Sequence, residues 1–247
     1  MDSLDIPVKF NKALLAFDYE QLKKVDKKKC LRANLLGLIG CIPYLGSAIT
    51  EGIASVISYR DAALFRKMFV FLYDLKETTP EEREKFANEI EKSANDSAGN
   101  VVCDMIERLD NINKADILAN FVRARINGEI DIAQFFRLSA AIERIPYPDF
   151  NFLKRFEEED YIEGGVTETL YASGALILAT IDADGNTYTL SALGQKILKY
   201  GLLYDDVRVD AKNATSIPTI GMEDIDKIID SKNDDKAMFD LDVNRGK

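Results

Sequence analysis

The sequence predicts a mainly α protein in which an N-terminal helical bundle precedes a winged-helix-like α+β module. Apolar residues recur at three- and four-residue spacing through most of the chain up to residue 162, which is typical of packed amphipathic helices. Two β-branched stretches joined by a glycine-containing turn follow, and a helical pattern returns after them. We expect the bundle over 1–112, the winged-helix-like module over 113–206 and an acidic, mobile tail over 207–247.

The N-terminal bundle is predicted from a series of helices. Residues 8–29 have an amphipathic pattern that ends in a lysine cluster, which suits the negative end of a helix dipole. Apolar spacing predicts another helix over 44–77. Thr79 is predicted to be an N-cap residue, because a proline follows it and Glu82 completes the pattern of a capping box. Two further helices are predicted over 80–95 and 97–110.

The second module is predicted from three helices, a hairpin and a last helix. The wing hairpin is expected from Leu170 to Ser191, with Gly185 in its turn. Although "DADGN" at this turn resembles the start of a calcium-binding loop, its glycine is at the fourth position instead of the sixth. We therefore expect a turn and no metal site. The helices of this module are predicted over 114–127, 131–145, 148–162 and 192–203.

The totals for the chain exclude several classes of function. With 47% hydrophobic and 30% charged residues among 247, the chain is neither a disordered polyelectrolyte nor an integral membrane bundle. Histidine is absent, which excludes histidine-dependent nucleophiles and histidine-ligated zinc, so we expect no enzyme and no cofactor. The formal charge of −10 opposes non-specific binding to nucleic acid. Without a signal-peptide pattern, we expect a cytoplasmic protein whose three cysteines are free thiols.

One segment near the N-terminus does not fit an ordinary soluble helix. Six basic residues fall between Lys23 and Arg32, and the following run from Ala33 to Tyr59 has Glu51 as its only charge. Pro43 divides this run, and a charge at the bilayer centre is unfavourable, so the run is not predicted to span a membrane at rest.

Two interpretations of this segment stay open. It is either a helix buried permanently among its neighbours or an apolar hairpin that enters an anionic membrane when the bundle opens, drawn there by the basic cluster. In the second case the residues that approach the lipid headgroups are Lys23, Lys24, Lys27, Lys28, Lys29 and Arg32. The residues that enter the apolar layer, or otherwise the core, are Leu35, Leu38, Ile39, Ile42, Leu45, Ile49 and Ile53.

Several phrases of the sequence resemble poorly characterised bacterial helical proteins that have a winged-helix-like end. The phrases are "IPYLGSAITEGIASVISYRDAALFRKMFVFLYDL", "ADILANFVRARI", "FNFLKRF" and "YTLSALGQKIL", and the similarity extends over roughly residues 35–200. Such proteins are associated with phage defence and abortive infection. The resemblance therefore implies an antiviral effector that acts on membranes.

The sequence thus supports three hypotheses. The first is a non-enzymatic bacterial effector that associates with the inner face of the cell membrane under certain conditions. The second is a soluble adaptor that binds a protein partner, or a second copy of itself, through the winged-helix-like module or the tail. The third is a DNA-binding regulator that uses Lys154 and Arg155. The third is disfavoured, because the four acids of "EEED" follow these two residues and repel phosphate.

Overall fold

The computed structural model describes residues 6–16, 24–32, 59–154, 156, 165–182 and 185–205, whose architecture is mainly helical. The described helices are α1 (Ile6–Ala16), α2 (Lys27–Arg32), α3 (Tyr59–Asp74), α4 (Pro80–Ala94), α5 (Ala98–Arg108), α6 (Asn113–Ile126), α7 (Ile132–Arg144), α8 (Asp149–Lys154), α9 (Gly165–Ala172) and α10 (Ala192–Ile197). A π-helical turn, Leu198–Leu202, continues α10. Strands β1 (Leu176–Asp182) and β2 (Gly185–Leu190) form an antiparallel hairpin.

The described residues up to Tyr204 belong to one compact unit. This unit contains helices from both of the predicted modules. The boundaries that the sequence suggests after residues 112 and 206 stay predictions.

The helix starts that the sequence predicts most directly are confirmed. The Thr79 side chain accepts a hydrogen bond from the backbone of Glu82, whose carboxylate accepts one from the backbone of Thr79. Asp131 and Gln134 form the same reciprocal capping box at the start of α7. Each box satisfies two backbone N–H groups that would otherwise have no partner at a helix start.

The core is centred on α6, which packs against α3, α7 and the π-helical turn. Ten of the fourteen residues of α6 are buried, so this helix is covered on nearly all sides. Phe121 of α6 and Phe65, Met68 and Phe69 of α3 are each at most 1% exposed. Burying side chains of this size contributes about 1.5–3 kcal/mol each and dominates the stability of such a bundle.

Two basic side chains hold helix ends together from within the bundle. Arg83 of α4 is fully buried, and its Nε donates to the carbonyl of Leu14 in α1 at 2.7 Å, while one terminal nitrogen donates to the carbonyl of Thr78 at 2.5 Å. Burial lowers the pKa of Arg83 to about 10. Lys67 of α3 donates to the carbonyl of Leu109, directly after α5, at 2.5 Å. These bonds satisfy carbonyl groups at or near the ends of helices.

The hairpin starts later in the chain than predicted. Leu170 belongs to α9, because Gly174 at φ +83° ends that helix in a Schellman motif before the first strand begins. In this motif Ala175 N–H donates to the carbonyl of Leu170, and Gly174 N–H donates to the carbonyl of Tyr171. Asp182 pairs with Gly185, which is the first residue of β2, and residues 183 and 184 of the predicted turn lie outside the described residues.

Candidate functional site

The basic cluster forms its own short helix. The predicted helix over 8–29 is not continuous, because residues 24–26 are not helical and the Asp26 carboxylate accepts from the backbone N–H groups of Lys28 and Lys29 at 2.9 and 3.2 Å. An aspartate in this position starts a helix instead of continuing one. The lysines therefore lie in the first turns of α2, not at the C-terminal end of a long helix, and that prediction is wrong.

Four cations of this cluster are exposed. Lys24 precedes α2 in a turn, and Lys28, Lys29 and Arg32 belong to the helix. Their side chains form no ion pair or hydrogen bond with other residues in the described part of the chain. We call Lys24, Lys28, Lys29 and Arg32 the basic face. The four cations outnumber the one exposed acid of the same stretch, Asp26, and such a local excess on a chain of net charge −10 is suited to binding an anionic surface.

Lys27 differs from the basic face because it is bound to the bundle. Its Nζ lies 2.8 Å from both carboxylate oxygens of Asp74, the last residue of α3, and 3.8 Å from Oδ1 of Asp116 in the first turn of α6. The ammonium group also lies 5.3 Å from the centre of the Tyr73 ring, within cation–π range. We call Lys27, Asp74 and Asp116 the α2 anchor. It joins the basic helix to the two helices at the centre of the core.

The anchor contains a carboxyl group that titrates near neutrality. Burial, hydrogen bonding to Asp116 and the Asp116 charge raise the pKa of Asp74 to about 7, while Lys27 acts in the opposite direction. Above this value, Lys27 is bonded to an ionised Asp74. Below it the two carboxyl groups share a proton, and the attraction for Lys27 is weaker.

Sequence reasoning missed the two acids of the anchor. Asp74 is 47 residues from Lys27, and no pattern joins the two positions. One signal was available, because Asp74 is the only charge in the run "MFVFLYDL". An acid within such an apolar run is buried on folding and therefore requires a partner.

Other predicted site residues are distributed differently. The apolar segment (Leu35, Leu38, Ile39, Ile42, Leu45, Ile49 and Ile53) lies outside the described residues, as do Lys23 and Arg155. Lys154 is exposed at the end of α8. In the described ranges, no helix is both long and apolar enough to cross a bilayer, and no group of acids and cysteines is arranged to hold a metal ion.

The described cysteines do not behave alike. Cys30 of α2 is buried and disulfide-bonded, so the prediction of a free thiol is wrong at this position. Its sequence spacing gave no signal of a bond, because it has no Cys-x-x-Cys pattern. Cys103 of α5 is free and buried, as predicted, and burial raises the pKa of its thiol to about 12. The Cys103 thiolate is therefore scarcely populated at neutral pH.

The arrangement of α2 does not by itself assign this chain to a family. No protein-family model matches the chain, and searches of curated proteins and of solved structures found no match either.

Proposed function

We propose that this protein is a non-enzymatic bacterial effector that associates conditionally with anionic membranes from the cytoplasmic side. The observation that carries the proposal is the contrast between the basic face and Lys27. Four cations face solvent without an ion pair in the described part of the chain, while Lys27 binds Asp74 at 2.8 Å. The basic face would meet the lipid headgroups, and the α2 anchor would hold the helix on the bundle at rest.

A role in phage defence by abortive infection is part of this proposal. It is supported by the resemblance of residues 35–200 to bacterial helical proteins associated with that role. The winged-helix-like end belongs to the same resemblance. Its support is the element order, since helices α6 to α9 precede the hairpin and α10 follows it.

The position of α2 in the chain gives the proposal its mechanism. The apolar run from Ala33 to Tyr59 begins directly after Arg32, so release of α2 would bring this run to the lipid surface together with the basic face. Each cation near an anionic leaflet contributes about 1 kcal/mol to binding. The four cations of the basic face therefore supply about 4 kcal/mol, which is enough for reversible association.

Dye leakage from phosphatidylserine-containing vesicles tests the proposal through three variants. Lys28→Gln with Lys29→Gln removes about 2 kcal/mol of attraction, so binding should weaken about 30-fold. Lys85→Gln with Lys92→Gln makes the same charge change on the exposed face of α4 and should leave leakage unchanged. Lys27→Met loses one cation yet should increase leakage, because it releases the α2 anchor.

Opposite effects at neighbouring lysines would be difficult to obtain from net charge alone. If Lys27→Met and the Lys28, Lys29 variant reduce leakage alike, α2 acts only through its total charge and the anchor has no regulatory part. Ile49→Asp tests the apolar run separately, since a carboxylate there should abolish leakage and toxicity on expression. A folded wild-type protein that never leaks or binds vesicles excludes the proposal.

The soluble adaptor is the second candidate function, and it is favoured by a surface groove between α7 and α10 that is lined by Arg137, Lys196 and the half-buried Leu193. The DNA-binding regulator has less support. Lys154 is exposed, but α9, the described helix directly before the hairpin, carries Glu168 and no basic residue. A winged helix that reads DNA needs cations on that helix.

A further inference from the structure

Two surface grooves of the described fold are lined by charged side chains, and their charges are arranged differently. The groove between α4 and α6 has a volume of about 250 Å³ and includes Lys85, Glu89 and Arg125. There Arg125 donates to both carboxylate oxygens of Glu89 at 2.8 and 2.7 Å. This bidentate pair already satisfies the best anion-binding group of the groove. The groove between α4 and α6 therefore has little to offer an ionic ligand.

The second groove lies between α7 and α10 and has a volume of about 340 Å³. Leu193 of α10 lines it with half-buried apolar surface, beside the fully buried Leu138 of α7, while Arg137 and Lys196 contribute the only charges among its lining residues. We call it the α7–α10 groove. Its lining combines an apolar floor with two cations and contains no acid.

The two cations of the α7–α10 groove are available to a ligand. Arg137 is exposed and Lys196 is half-buried. Neither side chain forms an ion pair or a hydrogen bond with any residue that the structure describes. Since no acid lines the α7–α10 groove, both cations keep their full charge for an anionic ligand.

The walls of the α7–α10 groove are held in place before any ligand arrives. The start of α7 is fixed by its capping box, and Leu138 is fully buried. The start of α10 is fixed by Ser191, whose hydroxyl accepts from Gly194 N–H at 2.9 Å and donates to the Gly174 carbonyl at 2.6 Å. Fixed walls limit the ordering cost on the protein side to that of the Arg137 and Lys196 side chains.

We propose that the α7–α10 groove binds an acidic, leucine-rich segment of a partner protein. Two carboxylates of the segment would pair with Arg137 and Lys196, and an aliphatic side chain between them would lie against the half-buried Leu193. Arginine favours carboxylate because its planar donors match the two oxygens of that group. The inference goes beyond membrane association, because it concerns a protein ligand and residues that are not part of α2.

The probe is a fluorescein-labelled peptide of Glu-Leu-Leu-Glu repeats, titrated with the full chain and followed by fluorescence anisotropy. We expect binding that weakens as salt rises from about 0.05 to about 0.3 M, since the ion pairs are solvent-accessible. A peptide of Lys-Leu-Leu-Lys repeats should not bind. Arg137→Glu with Lys196→Glu should weaken binding of the acidic peptide by at least about 10-fold.

A matched variant separates the groove from the net charge. Lys85→Glu with Lys92→Glu changes the charge of the chain equally on α4 and should leave peptide affinity within about 2-fold of wild type. Circular dichroism of each variant verifies that the helices persist.

Three results would overturn the inference. The first is that the acidic peptide does not bind to the folded chain, and the second is that the lysine peptide binds with equal affinity. The third is that both charge-reversal variants weaken binding of the acidic peptide equally. If instead Arg137→Glu with Lys196→Glu abolishes binding to phosphatidylserine vesicles and leaves the peptide bound, the groove belongs to the lipid surface and the peptide assignment is wrong. The peptide assay contains no membrane, so a failure of the groove proposal can be distinguished from a failure of the membrane proposal. The peptide assay can give no binding while the vesicle assays give leakage, and the vesicle assays can give no leakage while the peptide binds.

Discussion

Removal of the Lys27 ammonium group is the sharpest test of the α2 anchor. Lys27→Met keeps most of the aliphatic stem and deletes two hydrogen bonds of 2.8 Å to the Asp74 carboxylate. Hydrogen bonds to charged groups contribute about 1.5–3 kcal/mol, and fully exposed ion pairs at most about 1 kcal/mol. The Lys27 side chain is 31% exposed and that of Asp74 is 12% exposed, so the anchor lies between these cases. We expect Lys27→Met to lower the free energy of unfolding by about 1–2 kcal/mol near pH 8.

The loss should depend on pH in a defined direction. Since the pKa of Asp74 is raised to about 7, near pH 5 the group is protonated in the folded protein and attracts Lys27 less strongly. The cost of Lys27→Met should therefore be smaller near pH 5 than near pH 8. Lys28→Met is the matched control, because its side chain has no ion pair with a described residue, and it should change stability by less than about 0.5 kcal/mol.

Urea-induced unfolding, followed by far-ultraviolet circular dichroism, measures both variants at both pH values. The reasoning is refuted if Lys27→Met and Lys28→Met unfold alike near pH 8. It is also refuted if Lys27→Met costs more near pH 5, because the ionised Asp74 would then not be the group that holds α2.

Three further predictions concern the α2 anchor and the packing of α1 against α4 and α5. Asp74 has a raised pKa, so its contribution to stability is largest at low pH and falls as pH rises from about 4 to about 7. The variant Asp74→Asn should therefore gain stability relative to wild type over this interval, by at most about 4 kcal/mol in urea unfolding. Parallel pH profiles of unfolding free energy for the two proteins would contradict this. Arg83→Met should cost about 2–4 kcal/mol, because it leaves the Leu14 carbonyl without its buried donor; a loss below about 1 kcal/mol would show that water replaces it. Gly99→Ala should lower the melting temperature, because a Cβ at that site would lie 2.5 Å from Asn11 Cβ. Relieving this overlap would force α1 away from α5 at a cost of about 1–3 kcal/mol. An unchanged melting temperature would mean that α1 adjusts freely.

Local signals in the sequence correctly predicted the start of α4 and the pairing of the two strands. Thr79 is such a case, because its side chain bonds to a backbone group three residues away and the whole interaction is contained in "TPEE". The antiparallel pairing of the two β-branched stretches is another, because strands joined by a short connection pair with each other. Interactions of this range can be predicted because few alternatives compete with them.

Two local predictions failed where one residue had more influence than the surrounding pattern. Asp26 interrupts a sustained amphipathic pattern by capping α2, and Gly174 ends α9 within a stretch that has the composition of a strand. The apolar residues around Leu170 fit a helix and a strand about equally well, so periodicity did not distinguish them.

The basic face of the candidate site was predicted from the sequence, but the α2 anchor was not. The basic face is a run of neighbouring cations and can be identified from composition alone. The α2 anchor depends on tertiary packing, which brings Lys27 to Asp74 and Asp116 across α3 and α6. The α7–α10 groove was not predicted for the same reason, since Arg137 and Lys196 meet only after the hairpin returns the chain to α7.

Flotation of the full-length protein with lipid vesicles tests the central claim most directly. We expect the protein to float with vesicles that contain phosphatidylserine and to remain in the dense fraction with pure phosphatidylcholine. The association with phosphatidylserine should be lost when all four residues of the basic face are changed together to glutamine, namely Lys24, Lys28, Lys29 and Arg32. A folded protein that stays in the dense fraction with both kinds of vesicle, even when Lys27→Met has released α2, would contradict it.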